Sequence, residues 1–195
     1  MTKHEISRDD VMTTEAYGRV RHQRRREVTE LKRNRRLPIG PYATLYFECY
    51  ETMWHQVQEM LYIERGGEAQ IDDELRAYNP LIPKGNELVV TLMFEIEDPV
   101  RRARVLGALG GVEETVTLSV ADERIAAVAE ADLDRTTAEG KASSVQFLHF
   151  PFTREQIDKF RRPGARIVVA IEHENYQHMA VMPEVMRAVL AGDFV

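Results

Sequence analysis

Two hydrophobic periods divide the chain. Up to about residue 79 apolar side chains recur every three or four positions, and from Leu88 onward they mostly alternate with polar ones. The first period predicts helices. Ser7 can cap a short start with Asp10 three residues on, and Thr13 or Thr14 offers a second cap. Tyr17, Val20, Val28 and Leu31 then follow at helical spacing until Pro38, Gly40 and Pro41 force a turn. A second helix is predicted over Leu45 to Gly66, so the two would form a helical hairpin. Its apolar side carries Tyr46, Phe47, Tyr50, Met53, Trp54, Val57, Met60 and Leu61. A short helix over Ile71 to Tyr78 and a proline-stiffened loop through Gly85 close this part.

The second period predicts strands. Leu88, Val90, Leu92, Phe94 and Ile96 alternate with Val89, Thr91, Met93, Glu95 and Glu97. Further strands are expected at Val112–Val120, Arg124–Ala129, Val145–Phe150, Arg166–His173 and His178–Met182. Asp98-Pro99 opens a helix to about Leu109, and a capping box at Thr153 opens another to Phe160. Pro183 starts a terminal helix to about Ala191, and residues 131–143 read as a loop. Helices first and strands later, joined mostly by hairpins, predict an α+β fold: a helical hairpin on a mostly antiparallel sheet of about six strands, with a C-terminal helix. The 195 residues read as a single domain, a helical part at 7–79 and a sheet part at 86–195, with one plausible seam near 80–86.

Composition narrows the setting. No apolar run approaches the roughly 20 residues of a membrane span, and the first residues carry no secretory pattern. The lone Cys49 has no internal disulfide partner, which fits a reducing cytoplasm. The net charge of −6 hides an asymmetry. Residues 1–40 carry 11 Lys/Arg against 6 Asp/Glu, a balance of +5, and the rest carry 15 against 26, a balance of −11. A basic arm on an acidic body predicts docking of the arm, either onto the body itself or onto an acidic partner.

Three constellations could carry chemistry. On a helix starting at Leu45, Glu48, Thr52, His55 and Glu59 would fall within about 60° of one another. Glu51/His55 and His55/Glu59 are each four residues apart, the spacing at which two side chains can share iron, manganese or zinc. Such a face is more commonly only solvated. Next, His173 and His178 would flank a hairpin turn, as a ligand pair, an acid and base, or two histidines bonded to backbone. His149, set among aromatics, could add a third imidazole but reads more simply as a satisfied core histidine. Last, nine basic residues lie between positions 19 and 36, among them Arg21, Arg24, Arg25, Arg35 and Arg36. They could meet phosphates, but few aromatics accompany them and the acidic body would repel nucleic acid, so protein contact is the stronger expectation. Phosphate-cradling glycine loops, a Gly-x-Ser-x-Gly elbow and a His-Glu-x-x-His zinc motif are all missing from the sequence.

Several stretches together resemble an uncharacterised bacterial domain family: Gly40 to Glu48, then Thr52, Gln56 and Gln58 to Leu61, Glu74-Leu75, Tyr78 to Gly85, Met93 to Ile96, Val145 to Phe147 and Tyr176 to Ala180. The resemblance spans nearly the whole chain. Its pattern falls on Glu48, Thr52, Gln56, Glu59 and His178. Such families are often encoded beside rubrerythrin-like and iron–sulfur oxidoreductase proteins, which implies a role near peroxide or redox defence.

These readings converge on one expectation, a cytoplasmic accessory protein of a redox or peroxide-handling system that works through protein contacts. A polar pocket would join the helix stripe to the terminal hairpin, with Glu51, Thr52, Gln56, His173 and Tyr176 around it. The alternative is a mononuclear divalent-metal enzyme or sensor held by Glu48, His55, Glu59 and His178. A nucleic-acid regulator using the arginine arm is the third reading, and a homodimer is compatible with the basic arm.

Overall fold

The structure, a computed structural model, describes residues 3–130 and 141–195, and most of the loop expected at 131–143 lies outside that description. After a 3-10 turn at Arg8–Asp10 comes α1, Thr14–Lys32, capped by the Thr13 side chain, which accepts from Ala16 N–H at 3.2 Å. A β-hairpin follows, β1 Arg36–Ile39 and β2 Ala43–Phe47, and only then α2, Tyr50–Glu64. Next come α3 Glu68–Tyr78, β3 Glu87–Phe94 and α4 Pro99–Gly107. Strands β4 Val116–Val120, β5 Glu123–Ala126, β6 Val128–Ala129 and β7 Val145–Pro151 lead to α5, Arg154–Arg161. The chain closes with β8 Ile167–His173, β9 Tyr176–Val181 and α6 Glu184–Leu190.

The strands build two antiparallel sheets, β1-β2-β3-β7-β6 and β5-β4-β8-β9. One core lies between them, fed by Leu45, Phe47, Leu88, Val90 and Leu92 from one side and Leu118, Val120, Val169 and Ile171 from the other. A second core lies on the opposite face of the first sheet, where Met53, Val57 and Leu61 of α2 meet Ile6, Ile82 and Val89. Alternation along β3 thus serves both cores, with even positions turned inward and Val89 turned toward α2. The α+β class, antiparallel strands and C-terminal helix agree with the periodicity.

The path between the first two helices differs from expectation. Residues 36–47 form a hairpin of the sheet and not a tight inter-helix turn. Thr44, Leu45, Tyr46 and Phe47 are β-branched, aromatic or apolar, and extension sends Leu45 and Phe47 into the inter-sheet core. Pro38 is tolerated because β1 is the sheet's edge, where one strand side needs no donor. Cys49 N-caps α2, its N–H donating to Thr52 Oγ1 at 2.9 Å, so the predicted helix loses its first turn. The β2–β3 ladder also crosses the seam expected near 80–86 and ties the N-terminal part into the sheet.

Candidate functional site

α1 lies on α2 as an outer layer, with only Tyr17 buried among its 19 residues. Each helix offers the other a pair of side chains one turn apart, Tyr17 with Arg21 and His55 with Glu59. The pairs interlock. Tyr17 Oη donates to Glu59 Oε1 at 2.7 Å, and Arg21 grips the same carboxylate with Nε at 2.9 Å and Nη2 at 2.8 Å. The single Tyr17 proton is thereby committed to Glu59, so His55 Nδ1, 3.1 Å from Tyr17 Oη, carries a hydrogen and donates. Three donors hold Glu59 down to about 2, with Arg21 contributing most. Burial raises Tyr17 and lowers His55. Trp54 and Tyr62 stand edge-on to Tyr17 at 6.1 and 5.9 Å. Gly18 permits this approach, since a Cβ there would come within 3.2 Å of the Tyr62 ring.

Beside this seam a cleft of about 430 Å³ opens between α1 and the start of α2, walled by Val28, Leu31, Tyr50 and Trp54 and edged by Glu27 and Glu51. Arg24 lies over Trp54 at 5.4 Å, and Trp54 Nε1 donates to the Asp10 carbonyl at 2.8 Å.

The residues expected to form one pocket are spread over three places. His55 and Glu59 face α1. Glu48 is buried beneath α2, where its carboxylate accepts from Thr52 Oγ1 and Thr91 Oγ1, each at 2.6 Å. Glu51 edges the cleft, and Gln56 points the other way, toward Tyr78. At the terminal hairpin His173 pairs with Tyr176 and His178 with Ile171, so both histidines share a face two register positions apart. His173 Nδ1 accepts from Asn175 N–H and its Nε2 donates to the Gly110 carbonyl, both at 3.2 Å. His178 is exposed and packs on Tyr176 above Gly40. Tyr176 Oη donates to the Ile39 carbonyl at 2.7 Å and accepts from Ala43 N–H at 2.9 Å, pinning the β1–β2 turn.

Glu48 and that turn occupy opposite ends of β2, about 16 Å apart at 3.3 Å per extended residue. A metal centre of Glu48, His55, Glu59 and His178 is therefore not assembled. Among the described residues no group of three or more His, Cys, Asp or Glu is arranged to hold a metal ion. The strand at 43–47 is the physical reason: it turns Glu48 inward and carries the hairpin end away from α2.

The basic patch also changes. Arg21 is spent on Glu59 and Arg24 on Glu27. Arg35 is buried in a bidentate pair with Asp193, at 2.8 and 2.7 Å. Arg36 stays exposed beside Tyr46, and Arg25 is exposed on α1. The outward face of α1 carries Arg19 and Arg26, seven residues apart and both members of the basic run. Among the described residues, Arg19, Arg25 and Arg26 form no ion pair. The outward position of Arg19 and Arg26 follows once Tyr17, Arg21, Arg24 and Val28 are taken as the inward face.

The molecule is thus a three-layer α+β domain, two antiparallel sheets with an outer layer of helices that includes the basic α1. The sequence pattern of a family described as "Protein of unknown function (DUF3501)" matches residues 5–194, and the chain belongs to that family. It is similar to a crystal structure of a novel protein of unknown function from Burkholderia pseudomallei K96243, with 37% identity, a TM-score of 0.91 and 100% of each chain covered. A comparison with curated proteins finds no match. No helix among the described residues is long and apolar enough to cross a membrane.

Proposed function

We propose that this protein is an accessory component of a redox or peroxide-handling system and works by docking an acidic partner on the outward face of α1. One observation carries the reading. A 19-residue helix on a net-acidic chain leaves Arg19, Arg25 and Arg26 exposed and, among the described residues, without an ion pair. Keeping three unpaired guanidinium groups on one helix favours encounter with a negative surface. The Tyr17–Glu59–Arg21 lock supports the same reading, because a docking helix must itself be held in place. The redox setting rests on the family resemblance. The donor groups of the metal alternative are spread over separate places in the fold, so geometry gives that reading no support.

The test is association with the cognate rubrerythrin-like protein. Binding is expected at low salt, weakening about tenfold between 50 and 200 mM salt, and lost when Arg19, Arg25 and Arg26 are all changed to Glu. Binding untouched by the triple reversal overturns the docking surface. Tight, steeply salt-dependent binding to duplex DNA instead would move the basic stripe to nucleic-acid recognition.

A further inference from the structure

His149 lies on β7 opposite Val89 of β3 and Val128 of β6. Its Nδ1 is 2.9 Å from Glu87 Oε2 and its Nε2 is 3.0 Å from Glu130 Oε2. A carboxylate only accepts, so both ring nitrogens donate, and a ring donating from both is an imidazolium. The proton sits on the ring and not on either acid because imidazole is the stronger base. Glu87 belongs to the central strand β3 and has a second donor, the Lys84 N–H at 3.2 Å. Glu130 directly follows β6 and is more exposed, 27% against 15% for Glu87.

β6 itself is held lightly. It is two residues long at the edge of its sheet, with register partners His149 and Leu148 and one further bond, Glu130 N–H to the Phe147 carbonyl at 3.0 Å. Val128 is exposed, and of the two residues only Ala129 packs, partly, against the inter-sheet core. The geometry points to a proton-operated latch: His149, clasped between Glu87 and Glu130, holds the edge strand β6 on β7, and loss of its proton releases Glu130 and loosens β6. A neutral ring donates from one nitrogen only and turns the other nitrogen's lone pair toward a carboxylate. Glu87 keeps its hydrogen bond, being doubly held, and Glu130 lets go. Opening bares the backbone edge of β7, the kind of edge that accepts an added strand.

The surrounding charges agree with this sense. Val89 and Val128 beside the ring are apolar, and the Lys84 ammonium is turned to the His4 and Asn79 carbonyls. On the cleft that Glu130 helps line, Asp73 and Arg76 pair with each other, and Tyr78 faces the same space. Glu87 first, then Glu130, keep the His149 proton on above the ordinary imidazole range, against the opposing effect of burial. The clasp is thus complete below about 6.5, the ordinary value, and is lost as pH rises through the higher folded value.

The test uses the intact chain, following the His149 ring by NMR and the amide exchange of Val128 to Glu130 from pH 5 to 9. Exchange is read as a protection factor, which corrects for its intrinsic rise with pH. His149 is expected to titrate above about 6.5, with protection of the Glu130 amide falling about tenfold through the same midpoint. H149Q is expected to hold the low protection at every pH, and E130Q to lose the pH dependence while the rest of the sheet stays protected. A ring that titrates at or below the ordinary value overturns the latch, as does protection that stays level while the ring titrates.

Discussion

Glu59 receives a tyrosine hydroxyl and both arms of a guanidinium while only 15% of its side chain is exposed. Removing the carboxylate strands Tyr17 Oη and Arg21 in the seam, so Glu59→Ala is expected to lower unfolding stability by about 1–3 kcal/mol, where a solvated glutamate would cost under about 0.5. Chemical denaturation checks this. Its pH signature has a definite sign. The folded value is depressed to about 2, so the stabilisation is present above the ordinary value near 4.5 and is lost as pH falls through about 2. The stability gap between wild type and Glu59→Gln is therefore expected to shrink between pH 4.5 and 2. At Tyr176, the hydroxyl serves three backbone groups around the β1–β2 turn, and Tyr176→Phe is expected to cost about 1–3 kcal/mol in the same assay.

At the scale of elements, the β1–β2 hairpin decides where the candidate groups go. Gly40 sits in its turn at φ +68°, with a Cβ position 2.5 Å from the His178 ring and 2.8 Å from Tyr176 Oη. Gly40→Ala is expected to destabilise the fold by at least about 1–3 kcal/mol, and pairing it with His178→Ala to recover only part, because the backbone strain remains. Thermal unfolding of the two variants separates the terms. This hairpin is also where sequence reading went astray. Strand character was plain in Leu88–Phe94 and Ile167–Ile171, apolar and largely β-branched runs long enough to read without their partners. Residues 43–47 offer only five positions, and Tyr46 and Phe47 also fit the helical stripe that follows. Pairing to β3 settles the matter, and that contact joins residues more than 40 apart. The i,i+4 pair His55/Glu59 was legible as a unit. Its partners Tyr17 and Arg21 were not, since nothing in α2 says which helix will cover it.

Across the whole molecule the last residues are tied to distant parts of the chain. Arg35 and Asp193 form their bidentate pair with 7% and 9% of their side chains exposed, and Phe194 meets Phe152 and Phe160 edge-on. Asp193→Asn leaves a buried guanidinium without its countercharge and is expected to cost about 3–5 kcal/mol, read from equilibrium unfolding. The charge asymmetry was visible in the sequence, but not the sorting of its arginines. Burial consumed Arg35, neighbours consumed Arg21 and Arg24, and the exposed remainder is the proposed docking surface. That remainder is where the proposal stands or falls. Hydrogen exchange of the full chain, with and without a rubrerythrin-like protein as the proposed partner, tests for the contact directly. Added protection along α1 around Arg19, Arg25 and Arg26 is the expected result, and protection confined to the sheets or absent everywhere contradicts it.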